Sequence, residues 1–479
     1  MLSLLLLLLV SLTSCSLAPK QDLPDISLPQ EYSQQIPDGK EPIEQAEWWA
    51  QFHDPLLEEL MQEALQKNFD LRSCVEYIKQ ARSALWAANA KLAPEVDAFA
   101  LAAKVHPSQD LTKALIPENL PVEAAETSWK NFFLWGFDAS WEIDLFGKNL
   151  QAKNEAKYTL QATQEHSRST RIFILAETAR IYTEIRGAQT RLQIAKQKEA
   201  TFSALLELSQ TLFRTGIGSG IAIDQIQAEL HACRGRTPMI EDLLGQNMAN
   251  LALLLGTTVQ DIKQRLILPG RIPQALGKVP LGLPSDLLLR RPDIKEAEYG
   301  LYAAGCAVGS AKAGLFPSFS LTGILGGASR SFPNLFSSGQ RFWFAFPTIN
   351  WALFQGGKVL ASIQNASAGH RLAAIQYEKT VLSALKEVET SLINYATNSL
   401  SCQELLQEGQ AQKSFLRKSL QLCETGLAPK QTILRAYTDL FSTQENYLRA
   451  KEQAMKSLIA LYKSLGGGWE NLPPPPGNS

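Results

Sequence analysis

The sequence predicts a mixed, mainly α-helical chain built from an internal duplication, each half joining two strand-like stretches to two long helices. Three observations predict it. Motifs recur in the same order across the two halves, aromatic windows alternate with period two, and two very long runs are almost free of helix breakers.

The duplication is read from register. Trp141-Glu142-Ile143-Asp144-Leu145-Phe146-Gly147-Lys148 is echoed by Trp351-Ala352-Leu353-Phe354-Gln355-Gly356-Gly357-Lys358, its Trp and final Gly-Lys in step. At the same offset Thr215-Gly216-Ile217 meets Thr425-Gly426-Leu427, and Leu255-Gly256 meets Leu465-Gly466. Upstream, Ala90-Lys91-Leu92-Ala93-Pro94 resembles Ala313-Gly314-Leu315-Phe316-Pro317 at a larger offset, as a loop-length difference between the halves produces. Four matches in one order imply a repeated unit.

The elements follow in chain order. Leu2 to Leu12 is almost wholly apolar, yet too short to span a bilayer. It leads to Leu12-Thr13-Ser14-Cys15, which resembles a bacterial lipobox. Residues 1–14 therefore read as a lipoprotein signal peptide. Cys15 is the expected lipidation site, where diacyl or triacyl chains (palmitate among them) anchor the mature end. Ser16 at the following position is not the Asp that signals inner-membrane retention. The proline-bearing segment 15–46 is expected to be extended. The first repeat occupies 47–268, a Pro-rich link 269–292, and the second repeat 293–469. The Pro-rich tail 470–479 is expected to be disordered.

Each repeat opens with a helix, Asp70 to Leu92 or Asp293 to Leu315, closed by a proline soon after. Two strand-like stretches come next. In Trp135 to Ile143 one face reads Trp, Phe, Ala, Trp, Ile and the other Gly, Asp, Ser, Glu. In Ser318 to Thr322, Phe and Leu alternate with Ser, Ser and Thr. Partners around Val96 to Val105 and Phe342 to Trp351 alternate less cleanly. Such windows suit either a half-buried soluble sheet or the strands of a transmembrane barrel. On the barrel reading, Trp135, Phe137, Trp141, Phe319, Trp343 and Trp351 are the candidate girdle residues.

Long helices follow each strand pair. Lys148 to about Arg214 holds no proline and one glycine, Gly187, and is rich in helix formers. About 65 residues at 1.5 Å make a rod of roughly 100 Å, which needs partner helices along its length. A glycine-rich turn at Gly216 to Gly220 leads to a second helix, Ile221 to Leu255. The second half repeats this with Lys358 to Cys423, a turn at Gly426 to Pro429, and Gln431 to Leu465.

Composition excludes several function classes. A formal net charge of −1 offers no basic field for nucleic acid. A mean hydropathy of −0.10 argues against a multi-helix membrane protein but leaves a β-barrel open. After Cys15 five scattered cysteines remain, with no CxxC pair, so they read as small buried apolar residues. The five histidines are isolated and no GxSxG element occurs, so the sequence calls for no metal, no cofactor and no enzyme chemistry. Arg290-Arg291-Pro292-Asp293 reads as a helix start flanked by solvated charges rather than an anion site, and Gly466-Gly467-Gly468 as a helix terminator.

Four features together carry a family resemblance: Trp48-Trp49-Xaa-Xaa-Phe52-Xaa-Asp54-Pro55-Leu56, Trp141 to Lys148, Arg290-Arg291-Pro292-Asp293-Ile294, and Leu461-Tyr462-Lys463-Ser464-Leu465-Gly466-Gly467-Gly468-Trp469. With them the chain resembles the TolC-like outer-membrane factors, in particular their OprM/NodT-type lipoprotein branch, from Cys15 to Trp469. The resemblance implies a homotrimer in outer-membrane lipid. Each protomer gives four strands to a shared 12-stranded β-barrel, and long helices to a periplasmic α-helical barrel. It implies passive conduction of substrates received from an inner-membrane transporter through a periplasmic membrane-fusion adaptor. It also implies that the hairpin tips meet the adaptor and hold the aperture closed. The matching positions are Arg214, Thr215, Gly216, Gly218 and Ser219 at the first tip, and Thr425, Gly426, Leu427 and Pro429 at the second. Asp224 matches a family acidic position and equally suits a solvated helix face. The second tip carries Lys430 and no Asp, so no acidic gate ring is expected there. Two alternatives stay open, a lipid-anchored coiled-coil scaffold without a pore and the outer-membrane duct of a type I protein secretion system.

Overall fold

The computed structural model describes residues 17–20, 22–29, 31–32, 48–105, 130–274, 290–429 and 431–467. The signal peptide, Cys15, most of the inter-repeat link, Lys430 and the C-terminal tail lie outside the described residues. A 3-10 turn at Trp48–Phe52 precedes helices α1 (Pro55–Lys67) and α2 (Phe69–Ala90), then strands β1 (Glu95–Val105) and β2 (Lys130–Ile143). Helices α3 (Lys148–Arg214), α4 (Gly220–Leu254) and α5 (Val259–Arg265) complete the first repeat. The second holds α6 (Pro292–Ala313), β3 (Ser318–Ser329), β4 (Arg341–Asn350), α7 (Lys358–Glu424) and α8 (Gln431–Ser464). The expected helices and strands are all present, most with ends within two residues, and β2 and β3 run several residues longer than their alternating windows.

The two long rods match in length, 67 residues each. Their flanking glycines also match: Gly147 and Gly357, Gly216 and Gly426, and Gly256 and Gly466 all have positive φ. The larger upstream offset has a simple origin. Trp141 Nε1 donates to the Leu92 carbonyl (3.0 Å) across 49 residues, and Trp351 Nε1 to the Leu315 carbonyl (3.1 Å) across 36. The same bond closes both hairpins at the helix-to-strand turn, so the 13 extra residues lie within the first hairpin.

By contacts the chain forms two units, 1–23 with 80–161 and 298–375, and 24–79 with 162–297 and 376–479. Each unit draws on both repeats. The first contains the sheet, an antiparallel meander in the order β1-β2-β3-β4. Its centre is the β2–β3 pairing, which joins the repeats directly, from Phe133 opposite Ser329 to Ile143 opposite Phe319. Among the described residues no helix is long and apolar enough to cross a membrane.

The second unit contains the main core. In α1, Leu57, Leu60, Met61 and Ala64 are buried at helical spacing. Pro55 starts that helix, and the Asp54 carboxylate caps it by accepting from the Leu56 and Leu57 amides (3.1 and 3.2 Å). The other Asp54 oxygen accepts from the Tyr182 hydroxyl (2.6 Å), tying the cap to α3. Trp48, 1% exposed, stacks on Tyr462 of α8 with ring centroids 5.2 Å apart, and the Tyr462 hydroxyl donates to Gln51 Oε1 (3.1 Å). The motifs that open and close the chain therefore pack on each other.

Arg291 corrects the sequence reading. It is not a solvated flanking charge but is buried, donating to the Ser464 carbonyl (2.6 Å), Asp293 (2.7 and 3.0 Å) and Glu387 (2.8 Å). Its chemistry is the stapling of α6 to the end of α8. Cys74, Cys233 and Cys306 are buried as expected, whereas Cys402 and Cys423 are half-buried. Burial, with the Glu155 charge adding to it, pushes the Cys306 thiol up to about 11.

Gly187, the one glycine of rod α3, also has a structural reason. The carboxylate of Glu452 on α8 occupies the space a Cβ would fill, and pairs there with Arg191. The two side chains are 9% and 12% exposed, and Lys456 lies 3.5 Å from the same carboxylate. Glu452→Leu would strand the Arg191 charge, a loss of about 3–5 kcal/mol. The thermal midpoint followed by circular dichroism is therefore expected to fall sharply. It should hardly move in Asp439→Asn, which removes only the exposed partner of Arg435.

Candidate functional site

The two helical hairpins end in closely similar turns. At the first tip Gly216, with φ of 79°, donates to the Phe213 carbonyl, and the Ile217 and Gly218 amides both donate to Leu212, all at 3.0 Å. At the second, Gly426 has φ of 74°, its amide donates to Cys423 (3.2 Å), and Leu427 and Ala428 donate to Leu422 (2.8 and 3.2 Å). This is a Schellman-type helix end, whose left-handed residue favours glycine. Thr215 and Thr425 occupy equivalent places, each hydroxyl returning to a carbonyl of its own last turn, Leu212 at 2.9 Å and Leu422 at 3.1 Å.

The tips then diverge. Ser219 has the extended backbone of an N-cap for α4 but makes no side-chain cap bond. Gly218 approaches the preceding helix so closely that a Cβ would lie 2.6 Å from the Phe213 nitrogen, whereas the second tip carries Ala428 at the equivalent place. There Pro429 accepts from the Thr432 amide (2.9 Å) and from the Cys423 thiol (3.4 Å). Arg214 and Asp224 are exposed. Behind the tips, Phe202, Ile226, Leu230 and Phe441 form a small core shared by α3, α4 and α8.

Each apex also presents an apolar side chain to solvent. Leu427 is 76% exposed, and its repeat partner Ile217 is 77% exposed. Sequence reasoning selected Leu427 but passed over Ile217, although the register that aligns Thr215-Gly216 with Thr425-Gly426 marks it. Phe213 and Ile221, also exposed, extend the apolar patch at the first tip. Solvated apolar groups clustered at a hairpin apex suit a docking surface.

The sheet has two chemically distinct faces. Register places Val96, Ala98, Phe137, Ala139, Trp141, Leu321, Leu325, Trp343, Pro347 and Ile349 on one face with Trp135 and Phe319. Charge enters that face only at its far rim, with Lys104 and Arg341. The opposite face carries Glu95, Asp97, Asp138 and Glu142 with serines and threonines towards the helices, and phenylalanines and leucines further along. Five of the six girdle candidates thus share the apolar face. The sixth, Trp351, lies one residue beyond β4, where its indole closes the turn at Leu315 as that of Trp141 does at Leu92. Trp135 and Trp141 stand six residues apart on β2, about 20 Å along the strand. The Trp135 indole donates to the Leu335 carbonyl (3.3 Å) at the far end of the sheet.

The described part of the N-terminal segment has no regular structure. Ala18 packs on Gly309 of α6, where a Cβ would come within 3.0 Å of it, and Pro19 lies near Gly305 one turn earlier. Downstream, Ile26 and Leu28 pack against Ile294, Tyr377, Val381 and Ala384.

Comparisons with known proteins agree with these features. The family model described as outer membrane efflux protein matches residues 60–257 and 283–467. The probable efflux pump outer membrane protein TtgC of Pseudomonas putida is 29% identical over 464 residues, 96% of this chain and 93% of its own length. The solvent efflux pump outer membrane protein SrpC of Pseudomonas putida is 30% identical over 423 residues, 87% of this chain and 86% of its own. Among solved structures, the outer-membrane channel OprN superposes with a TM-score of 0.82 at 27% identity, covering 94% of this chain and 100% of that one.

Proposed function

This chain belongs to the outer membrane efflux protein family, and from that premise we propose that it is the exit channel of a tripartite, RND-type pump. It conducts substrates passively from a periplasmic adaptor and an inner-membrane transporter to the exterior. The observation that carries this reading is the four-stranded sheet, almost wholly apolar on one face, bearing four carboxylates on the other, and ending in two edge strands, β1 and β4.

The apolar face suits lipid and the charged face suits water. An edge exposed to lipid, however, leaves backbone groups unpaired, each costing several kcal/mol. Pairing β4 of one copy with β1 of the next removes both edges. Two copies would give about eight strands, a barrel that side chains fill, so an open duct requires more. Three copies give twelve, and pool twelve long helices for the periplasmic barrel. The homotrimer is thus the smallest assembly that both closes and conducts. A relative described as a solvent efflux pump component favours small-molecule export over protein secretion.

Lipid anchoring at Cys15 fits the same geometry. Ala18 rests on α6 four residues before that helix ends and nine before β3 begins. Cys15 is three residues from Ala18 in the chain, a span of at most about 10 Å, which suits an anchor in the same bilayer as the sheet. The tips, with Ile217 and Leu427 added to the residues named from sequence, are the docking surface for the adaptor.

Purified protein in planar bilayers is expected to give discrete conductance steps; a silent membrane would point instead to an anchored scaffold without a pore. Gly216→Glu/Gly426→Glu is expected to cut crosslinking to the adaptor at least tenfold while the trimer band on semi-native gels persists. Undiminished crosslinking would remove the tips from the docking surface. Cys15→Ala is expected to abolish incorporation of radiolabelled palmitate, and label that survives the substitution would place the acyl chains elsewhere.

A further inference from the structure

The charged face of the sheet is not polar throughout. One row across it reads Phe99, Gly136, Gly326, Phe342, four residues in direct register on β1, β2, β3 and β4. The glycines accommodate the rings. A Cβ on Gly136 would lie 2.7 Å from Phe99 Cζ, and one on Gly326 would lie 3.2 Å from Phe342 Cζ. Phe342, Phe344 and Phe346 then stack along β4, with centroids 6.0 and 5.9 Å apart and planes inclined by 17°. Phe344 and Phe346 are 44% and 43% exposed.

The next row towards the helices is Asp97, Asp138, Ile324, Phe344. Its two carboxylates stand directly opposite each other on adjacent strands, an arrangement that like charges disfavour. Asp138 Oδ1 is buried without a hydrogen-bond partner. The rings of Phe99 and Phe342 cover the two glycines, but the opposed carboxylates contribute nothing to the sheet itself. Aromatic rings gain most on a lipid-facing or packed surface, and opposed carboxylates cost stability unless something positive lies between them.

We propose that this face of the sheet carries a subsite for amphipathic organic cations, formed by Phe99, Phe342, Phe344 and Phe346 with Asp97 and Asp138. The proposal rests on the channel reading, in which this face is the inner wall. When β4 of one copy pairs with β1 of the next, the strand that carries the phenylalanine ladder lies beside the strand that carries Phe99 and Asp97 in the second. Each of the three seams then offers ring faces to the apolar part of a ligand and carboxylates to its charge. The two attractions reinforce each other, because a cation held near aspartate also gains from the ring quadrupole. A solute of this kind pauses on the wall as it passes, whereas a small hydrated cation lacks the apolar contact.

The test uses single-channel recording on the whole protein in planar bilayers. Tetraphenylphosphonium is expected to half-block the current at a concentration at least tenfold below that of tetramethylammonium. Phe99→Leu/Phe344→Leu and Asp97→Asn/Asp138→Asn are each expected to raise its half-blocking concentration tenfold or more, with the trimer intact on semi-native gels. Equal block by the two cations, or block that neither variant changes, overturns the subsite. Should either variant fail to assemble, the contrast between the two cations in the unmodified protein decides alone. A protein without conductance overturns the channel and the subsite together; one that conducts without selective block overturns the subsite only.

Discussion

A peptide group in hydrocarbon must find its hydrogen-bond partner within the protein, and this requirement organises the chain. A single copy supplies four strands and leaves two edges. The repeat goes half-way to meeting the requirement, because the β2–β3 pairing joins one hairpin from each half into a continuous meander. Pooling copies supplies what duplication leaves undone. The same residues explain why the hairpins are closed so firmly at their base. Trp141 and Trp351, by bonding to Leu92 and Leu315, fix the point at which helix becomes strand.

The remaining structure holds very long helices in register with one another. An isolated rod of this length has little reason to keep one rotation about its axis. Here rotation is set by groups that fit in only one way: Trp48 stacked on Tyr462, the Asp54 carboxylate shared between a helix cap and Tyr182, Glu452 seated on Gly187, and Arg291 bonded to the Ser464 carbonyl. Buried charge pairs are poor sources of net stability, but they are selective, since any slip leaves a charge without its partner. Specificity of register is the role that best fits Arg191, Glu452 and Lys456.

Much of this was legible in the sequence because the signals are local. Gly216 and Gly426 mark helix ends through the conformation that glycine alone adopts readily, and Pro292 marks a helix start. Alternation along β2 reveals its two faces. What could not be read depends on residues distant in sequence. Arg291 looks solvated beside its charged neighbours, and only the arrival of α8 shows it to be buried. Phe342, Phe344 and Phe346 look like ordinary strand aromatics until register sets them opposite Gly326, Ile324 and Thr322, on the face that carries the aspartates. Ile217 was within reach, since the repeat register alone marks it as the counterpart of Leu427.

The equal length of α3 and α7 limits how the chain can change. Inserting one residue into a rod turns everything beyond it by about 100° and advances it by about 1.5 Å. Every ion pair and ring stack further along would then lose its partner. Substitutions inside the rods are therefore tolerated far more readily than changes in residue number. The spare length is in the hairpins, where the first already holds more chain than the second, and lineages diverging from a common ancestor are expected to differ in size there.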